Sequence, residues 1–168
     1  NEFGKVKRLD TEEAIGEKDF PVWFDLPCDE TQCTRLADYI LKEEPYPIKA
    51  FVGFGFNRRM WPQPDYLQEA MSKLEFFVNV DLFMSDSCDM ADVILPACTS
   101  FEREEVKSLK GGKFAVSQKA IEPLGESKND IEIIIQMLLR MGLHDEVLEK
   151  GYENYMNYIL EPSGLTVE

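Results

Sequence analysis

The feature that most restricts how this chain can fold is its alternation of short apolar runs with segments of helical spacing, punctuated by proline. Ile48 to Phe54 is an apolar run of strand length, Phe76 to Asp81 is a second, and Ala91 to Leu95 is a third, stopped by Pro96. Between the first two, Pro64 to Lys73 reads as a helix, with Pro64 tolerated in its first turn. Ahead of them Thr31 to Glu44 reads as another, with Leu36, Tyr39 and Ile40 at helical spacing and Thr31 or Asp29 as cap; Pro45 and Pro47 end it. Residues 97–128 are rich in charge, contain Gly111-Gly112 and carry a short strand at Phe114–Ser117. Asn129 to Met141 and Asp145 to Leu160 are amphipathic helices. Strand and helix alternating at such short spacing predict an α/β fold: a mostly parallel sheet, doubly wound, with helices on both faces.

Charge narrows the partners. The 18 Lys and Arg against 32 Asp and Glu leave a net charge of −14. That balance argues against nucleic acid or an anionic lipid surface, both of which demand a surplus of cations. The longest nearly apolar stretches, Leu74–Met84 and Ile131–Leu143, are short and interrupted by Glu75, Asp81, Glu132 and Arg140, so no membrane span is expected. Cys28, Cys33, Cys88 and Cys98 are too few for a disulfide framework at this length. Cys28 and Cys33 lack zinc-knuckle spacing, and buried or idle thiols are expected in preference to metal ligands. His144, at the helix junction Gly142-Leu143-His144-Asp145, is expected on the surface. As the single histidine it leaves no visible Ser-His-Asp or Cys-His pair.

Ligands of open α/β sheets sit outside the carboxyl ends of the strands. Two such ends stand out. In Gly53-Phe54-Gly55-Phe56-Asn57 the glycines let backbone approach a ligand and Asn57 offers both donor and acceptor; the same residues also make a tight turn. Asp81 closes the second apolar run and is followed by Ser85, Asp86 and Ser87. An acid there can accept from ribose hydroxyls or a guanine edge, and the hydroxyls can reach a phosphate, while capping and turn chemistry explain the same residues equally well.

These residues also carry a resemblance. Phe77-Val78-Asn79-Val80-Asp81-Leu82-Phe83-Met84-Ser85-Asp86-Ser87, followed by Ala91-Asp92-Val93-Ile94-Leu95-Pro96-Ala97 and Glu102-Arg103, resembles the middle of the molybdopterin oxidoreductases of the dimethyl-sulfoxide-reductase type. Pro123-Leu124-Gly125-Glu126-Ser127-Lys128-Asn129-Asp130 is similar to a later motif of that family, and Gly55-Phe56-Asn57 to its G-x-N-P, with Arg58 in place of proline. The match covers about residues 45–143. Where many members continue with a Gly-Thr-x-x-Asn stretch, this chain reads Glu104-Glu105-Val106-Lys107-Ser108-Leu109-Lys110-Gly111-Gly112-Lys113.

The resemblance implies a Rossmann-like third domain that grips the guanine nucleotide end of one pterin in a bis-molybdopterin guanine dinucleotide cofactor carrying molybdenum or tungsten. It implies Asn57, Val80 (through its backbone), Asp81, Ser85, Arg103 and Asp130 as cofactor-binding positions, and no catalytic or metal-ligating residue here. An iron–sulfur cluster and the metal ligand are expected in sequence ahead of this stretch, with the other domains of the same polypeptide and electron-transfer subunits as partners. Asn1 follows no Met, basic region or apolar leader, so the chain is expected to be a fragment: a lead-in segment at 1–28, the binding domain at 29–161 and the start of a further element at 162–168. A free-standing nucleotide-binding domain and a non-catalytic assembly scaffold are the alternatives.

Among the remaining residues, Phe76, Phe77, Val78, Phe83, Val93, Ile94, Leu95 and Ile133-Ile134-Ile135 are expected in the core, and Glu102–Glu105 as a solvated acidic run around Arg103. Tyr152, Tyr155 and Tyr158 lie three apart on one helix and suit either a core or a docking face.

Overall fold

The computed structural model describes residues 13–24, 33–109 and 113–167. In chain order its elements are α1 (Pro21–Phe24), α2 (Leu36–Lys42), β1 (Ala50–Phe54), α3 (Pro64–Met71), β2 (Phe76–Asp81), β3 (Val93–Pro96), β4 (Glu105–Leu109), β5 (Lys113–Ser117), α4 (Asp130–Arg140), α5 (Glu146–Glu149) and α6 (Tyr152–Leu160). The strands form a three-stranded sheet of order β1-β2-β3 and a separate two-stranded sheet, β4-β5. The chain divides into two compact units, residues 1–79 with 84–94 and residues 80–83 with 95–168.

The first unit shows why the early pattern folds as it does. Leu67, Ala70 and Met71 recur at helical spacing on α3 and are all buried, and Pro64 occupies its first turn. They pack with Leu36, Ala37 and Ile40 of α2 and with Phe56 and Phe77 into one apolar core. Phe51, Phe56, Phe77 and Trp61 form its aromatic side, with ring centroids 5.3–5.7 Å apart. Asp92 acts as a strand partner in its own right: its amide donates to Phe77 O (2.8 Å) and its carboxylate accepts from Phe77 N (2.7 Å).

In the second unit Ala97 N donates to Asp81 O (3.1 Å). Pairing thus advances in the same direction along β2 and β3, which makes them parallel, as expected. The crossover between them carries a 3-10 turn at Cys88–Met90 in place of an α-helix. Ala97 forms a further parallel bridge with Lys128, which leads into α4. There Asn129 Oδ1 accepts from Ile131 N (3.0 Å), Asp130 and Glu132 stand in the first turn and Arg140 in the last, complementing the helix dipole. Ile133 and Ile135 of α4, Met156 and Leu160 of α6, Val80 and Cys98 are buried.

Several expectations change. The first helix starts as a 3-10 turn at Cys33–Arg35, and the expected caps Asp29 and Thr31 lie outside the described residues, as does Cys28. The expected helix over 145–160 is two helices separated by Gly151 at φ +87°, with Asp145 capping the shorter one. Glu105–Leu109, read as part of a charged run, is a strand paired antiparallel with β5, Glu105 opposite Ser117 and Leu109 opposite Lys113. Phe83 falls in the loop after β2 and is 78% exposed; Phe76, at the first position of β2, and Val93 and Ile94, on the edge strand β3, are also exposed. His144 is exposed, as expected, with Nδ1 3.1 Å from Glu149 Oε1.

Candidate functional site

The expected cofactor-facing residues fall into two loop clusters, one in each unit: Asn57 and Ser85 in the first, Val80, Asp81, Arg103 and Asp130 in the second.

In the first unit, glycine is demanded once near the end of β1 and once in the turn that follows it. A Cβ on Gly53 would lie 2.6 Å from Phe56 Cβ, and Gly55 has φ +58°. The turn delivers Asn57 to the surface, where its Oδ1 accepts from Arg59 N (3.1 Å) and caps the 3-10 turn Arg58–Met60. The loop after β2 is tied to this turn. Arg58 N donates to Ser87 Oγ (3.1 Å), and Arg58 Nη2 and Arg59 Nε both donate to Asp86 Oδ2 (3.4 and 2.6 Å). The hydrogen bond from Arg59 and the two guanidinium charges hold the Asp86 carboxyl below the ordinary carboxylate range. Ser85 Oγ stands 3.6 Å from Cys88 Sγ, which also accepts from Nδ2 of the fully buried Asn79 (3.2 Å).

In the second unit, Val80 is buried and Asp81 ends β2. Asp81 Oδ1 accepts from Leu82 N (2.7 Å) and Phe83 N (3.4 Å), so this carboxylate shapes its own loop. Beside it run Ala97, bonded to Asp81 O, and Lys128, whose carbonyl accepts from Cys98 N (2.9 Å). Arg103 and Asp130 come together directly: Nη1 lies 3.2 Å from Asp130 Oδ2 and 3.2 Å from Cys98 O, while Nη2 is 3.7 Å from Glu105 Oε1. The Arg103 side chain is 20% exposed, and its buried Nε has no hydrogen-bond partner among the described residues.

Glu102 departs from the solvated run expected around Arg103. It is 7% exposed, and its carboxylate accepts from Thr99 N (2.8 Å), Thr99 Oγ1 (2.7 Å) and Leu124 N (2.8 Å). Those hydrogen bonds, Thr99 N–H first, hold its carboxyl below the ordinary range. The Glu-Arg pair thus divides its work: Glu102 ties the 97–104 loop to Leu124, and Arg103 ties it to α4. Asn129 adds a third tie, donating to Glu104 O (3.3 Å). Among the described residues no three His, Cys, Asp or Glu side chains converge to hold a metal ion. No helix among them is long and apolar enough to cross a membrane.

Comparison with known proteins identifies the family. The family model described as molybdopterin oxidoreductase matches residues 50–138. Acetylene hydratase of Syntrophotalea acetylenica is 32% identical over 139 residues, 80% of this chain and 19% of that protein. The thiosulfate reductase molybdopterin-containing subunit of Salmonella typhimurium is 33% identical over 113 residues, 64% of this chain and 15% of that one. The solved structure of acetylene hydratase from Pelobacter acetylenicus superposes with a TM-score of 0.71 at 27% identity, covering 82% of this chain and 19% of its own. The chain therefore spans less than a fifth of the length of these relatives.

Proposed function

The chain belongs to the molybdopterin oxidoreductase family, and from that membership we propose that it grips the guanine nucleotide end of one pterin in a bis-molybdopterin guanine dinucleotide cofactor. The binding portion is residues 29–161, acting within a larger molybdenum or tungsten oxidoreductase. The metal, carried by the pterin, supplies the electron-transfer chemistry when bound. The remaining parts of such a polypeptide would hold the second pterin, the metal ligand and any iron–sulfur cluster, and would meet the electron-transfer subunits.

One observation carries the reading: Arg103 offers a buried Nε donor with no partner among the described residues, beside Asp130 at the start of an eleven-residue helix. A planar guanidinium with one unused donor suits a diphosphate oxygen, and the helix start favours the same negative charge. Asp81 and Asp130 supply acceptors for ribose hydroxyls or for guanine N1–H and N2–H₂, the paired donors that adenine lacks. Gly55, at φ +58° with nothing within 4 Å of its Cβ position, leaves room for close approach near Asn57. Val80 contributes backbone, and Ser85 a hydroxyl.

The test is titration of the chain with guanosine diphosphate and, in parallel, adenosine diphosphate. A dissociation constant around 1 mM, about 4 kcal/mol, is within reach of a few polar contacts. Guanine should bind more tightly than adenine, and Arg103→Ala and Asp130→Asn should each weaken it. Equal binding of both nucleotides, or binding indifferent to both substitutions, overturns the reading.

A further inference from the structure

The loop that follows β1 carries two arginines, and both converge on one oxygen. Arg59 Nε lies 2.6 Å and Arg58 Nη2 3.4 Å from Asp86 Oδ2. Arg58 is held in place: its side chain is 16% exposed, its backbone N–H is taken by Ser87 Oγ, and a second acid, Asp65, stands 3.9 Å from Nη1. Its Nε is buried without a partner among the described residues. One carboxylate oxygen thus leaves a donor of this two-arginine fork unused. A tetrahedral oxyanion presents several oxygens in different directions and can engage both guanidiniums and the unused Nε together.

We infer that Arg58 and Arg59 form a clamp for a phosphoryl oxyanion, and that Asp86 is the internal counter-anion a bound phosphoryl group displaces. Without such a group Asp86 is the anion that both guanidiniums share, in a chain of net charge −14. When one arrives, its oxygens replace the carboxylate and add the Arg58 Nε contact. Asp86 then swings toward solvent, into which it is already one-third exposed. The inference rests on the proposed nucleotide reading only for the source of the anion, which is either the cofactor's diphosphate or a free phosphate.

The experiment is calorimetric titration of the chain with inorganic pyrophosphate and, separately, with guanosine diphosphate, in the parent and in Asp86→Asn. Circular dichroism checks the fold of every variant. Asp86→Asn should bind pyrophosphate about two- to fivefold more tightly, the factor released when a partly exposed ion pair is broken. Adding Arg59→Gln should abolish the gain. Glu153→Gln on α6, which changes net charge equally, should produce none. Tightening of both ligands assigns the clamp to the cofactor's diphosphate, and tightening of pyrophosphate alone assigns it to free phosphate. The clamp is overturned if Asp86→Asn binds no more tightly than the parent, if the gain survives Arg59→Gln, or if Glu153→Gln matches it. Guanine-selective binding with Asp86→Asn neutral for both ligands would overturn the clamp and leave the nucleotide reading standing. A pyrophosphate effect without guanine selectivity would do the reverse.

Discussion

Gly53→Ala probes the turn that presents Asn57. The new Cβ would lie 2.6 Å from Phe56 Cβ, 3.2 Å from Phe51 Cε1 and 3.3 Å from Asn79 Oδ1. Carbon atoms rest about 3.5–4.0 Å apart, so roughly 1 Å of separation has to be found. A rotamer change cannot supply it, because Phe56 Cβ is fixed to the backbone. Its ring is also held, with centroids at 5.3 Å from Phe51, 5.6 Å from Trp61 and 5.7 Å from Phe77. The backbone of the turn must move instead, an overpacking that costs about 1–3 kcal/mol. Removing a glycine from the unfolded chain returns about 0.4–1 kcal/mol, leaving a net loss of about 1–2 kcal/mol. With a urea slope near 2 kcal/mol per molar, the midpoint should fall by about 0.5–1 M. Tryptophan emission in a Trp23→Phe background reads this directly, because Trp61 packs on Phe56. Gly55→Ala is the contrast: nothing lies within 4 Å, and its cost is backbone strain at φ +58°. It should lose about 1–2 kcal/mol with folded-state Trp61 emission unchanged. A Gly53→Ala protein as stable as its parent, with unaltered Trp61 emission, would refute the packing argument.

Other outcomes follow from the same contacts. Glu102 has a depressed folded pKa, so the stability it contributes is present above the ordinary carboxylate value of 4.5 and is lost as pH falls through the lower folded value. Glu102→Gln should therefore flatten the acid limb of a stability–pH profile, and a limb identical to the parent's would contradict the assignment. Phe77→Ala, at 2% exposure between the rings of Phe51 and Phe56 and the apolar core, should cost about 3–5 kcal/mol in urea unfolding. Asn79→Leu removes a fully buried amide whose Oδ1 has no partner among the described residues and whose Nδ2 donates only to Cys88 Sγ there, and should be neutral or stabilise the chain by about 1 kcal/mol; a loss above that size would contradict the reading.

The parts legible in the sequence were those where one physical rule dominates. The apolar runs at 50–54 and 76–81 became strands because such runs are long enough only for buried strands, and Pro64 and Asn129-Asp130 marked true helix starts. The β4–β5 hairpin was missed because charge along Glu105-Val106-Lys107 hid an alternating pattern, although Gly111-Gly112 between two such runs is itself a hairpin signal. Gly151 likewise interrupts the helical pattern over 145–160 and marks the break. Phe83 looked like core by composition, yet its place in a loop decides its exposure. At the candidate site, the Arg103–Asp130 contact joins residues 27 positions apart, and the burial of Glu102 depends on Leu124. Neither could be read from local spacing.

The central claim is that Asp81, Arg103 and Asp130 hold the guanine nucleotide end of the pterin cofactor. Its most direct test is the guanine nucleotide released by acid hydrolysis from the intact gene product, measured per bound molybdenum or tungsten ion and per polypeptide. The account predicts guanine nucleotide in the parent and, in Asp130→Ala, a loss of both nucleotide and metal that exceeds the fall in apo-chain stability from losing the Arg103 ion pair. Full nucleotide and metal content in that variant, or a pterin carrying no guanine in the parent, would contradict it.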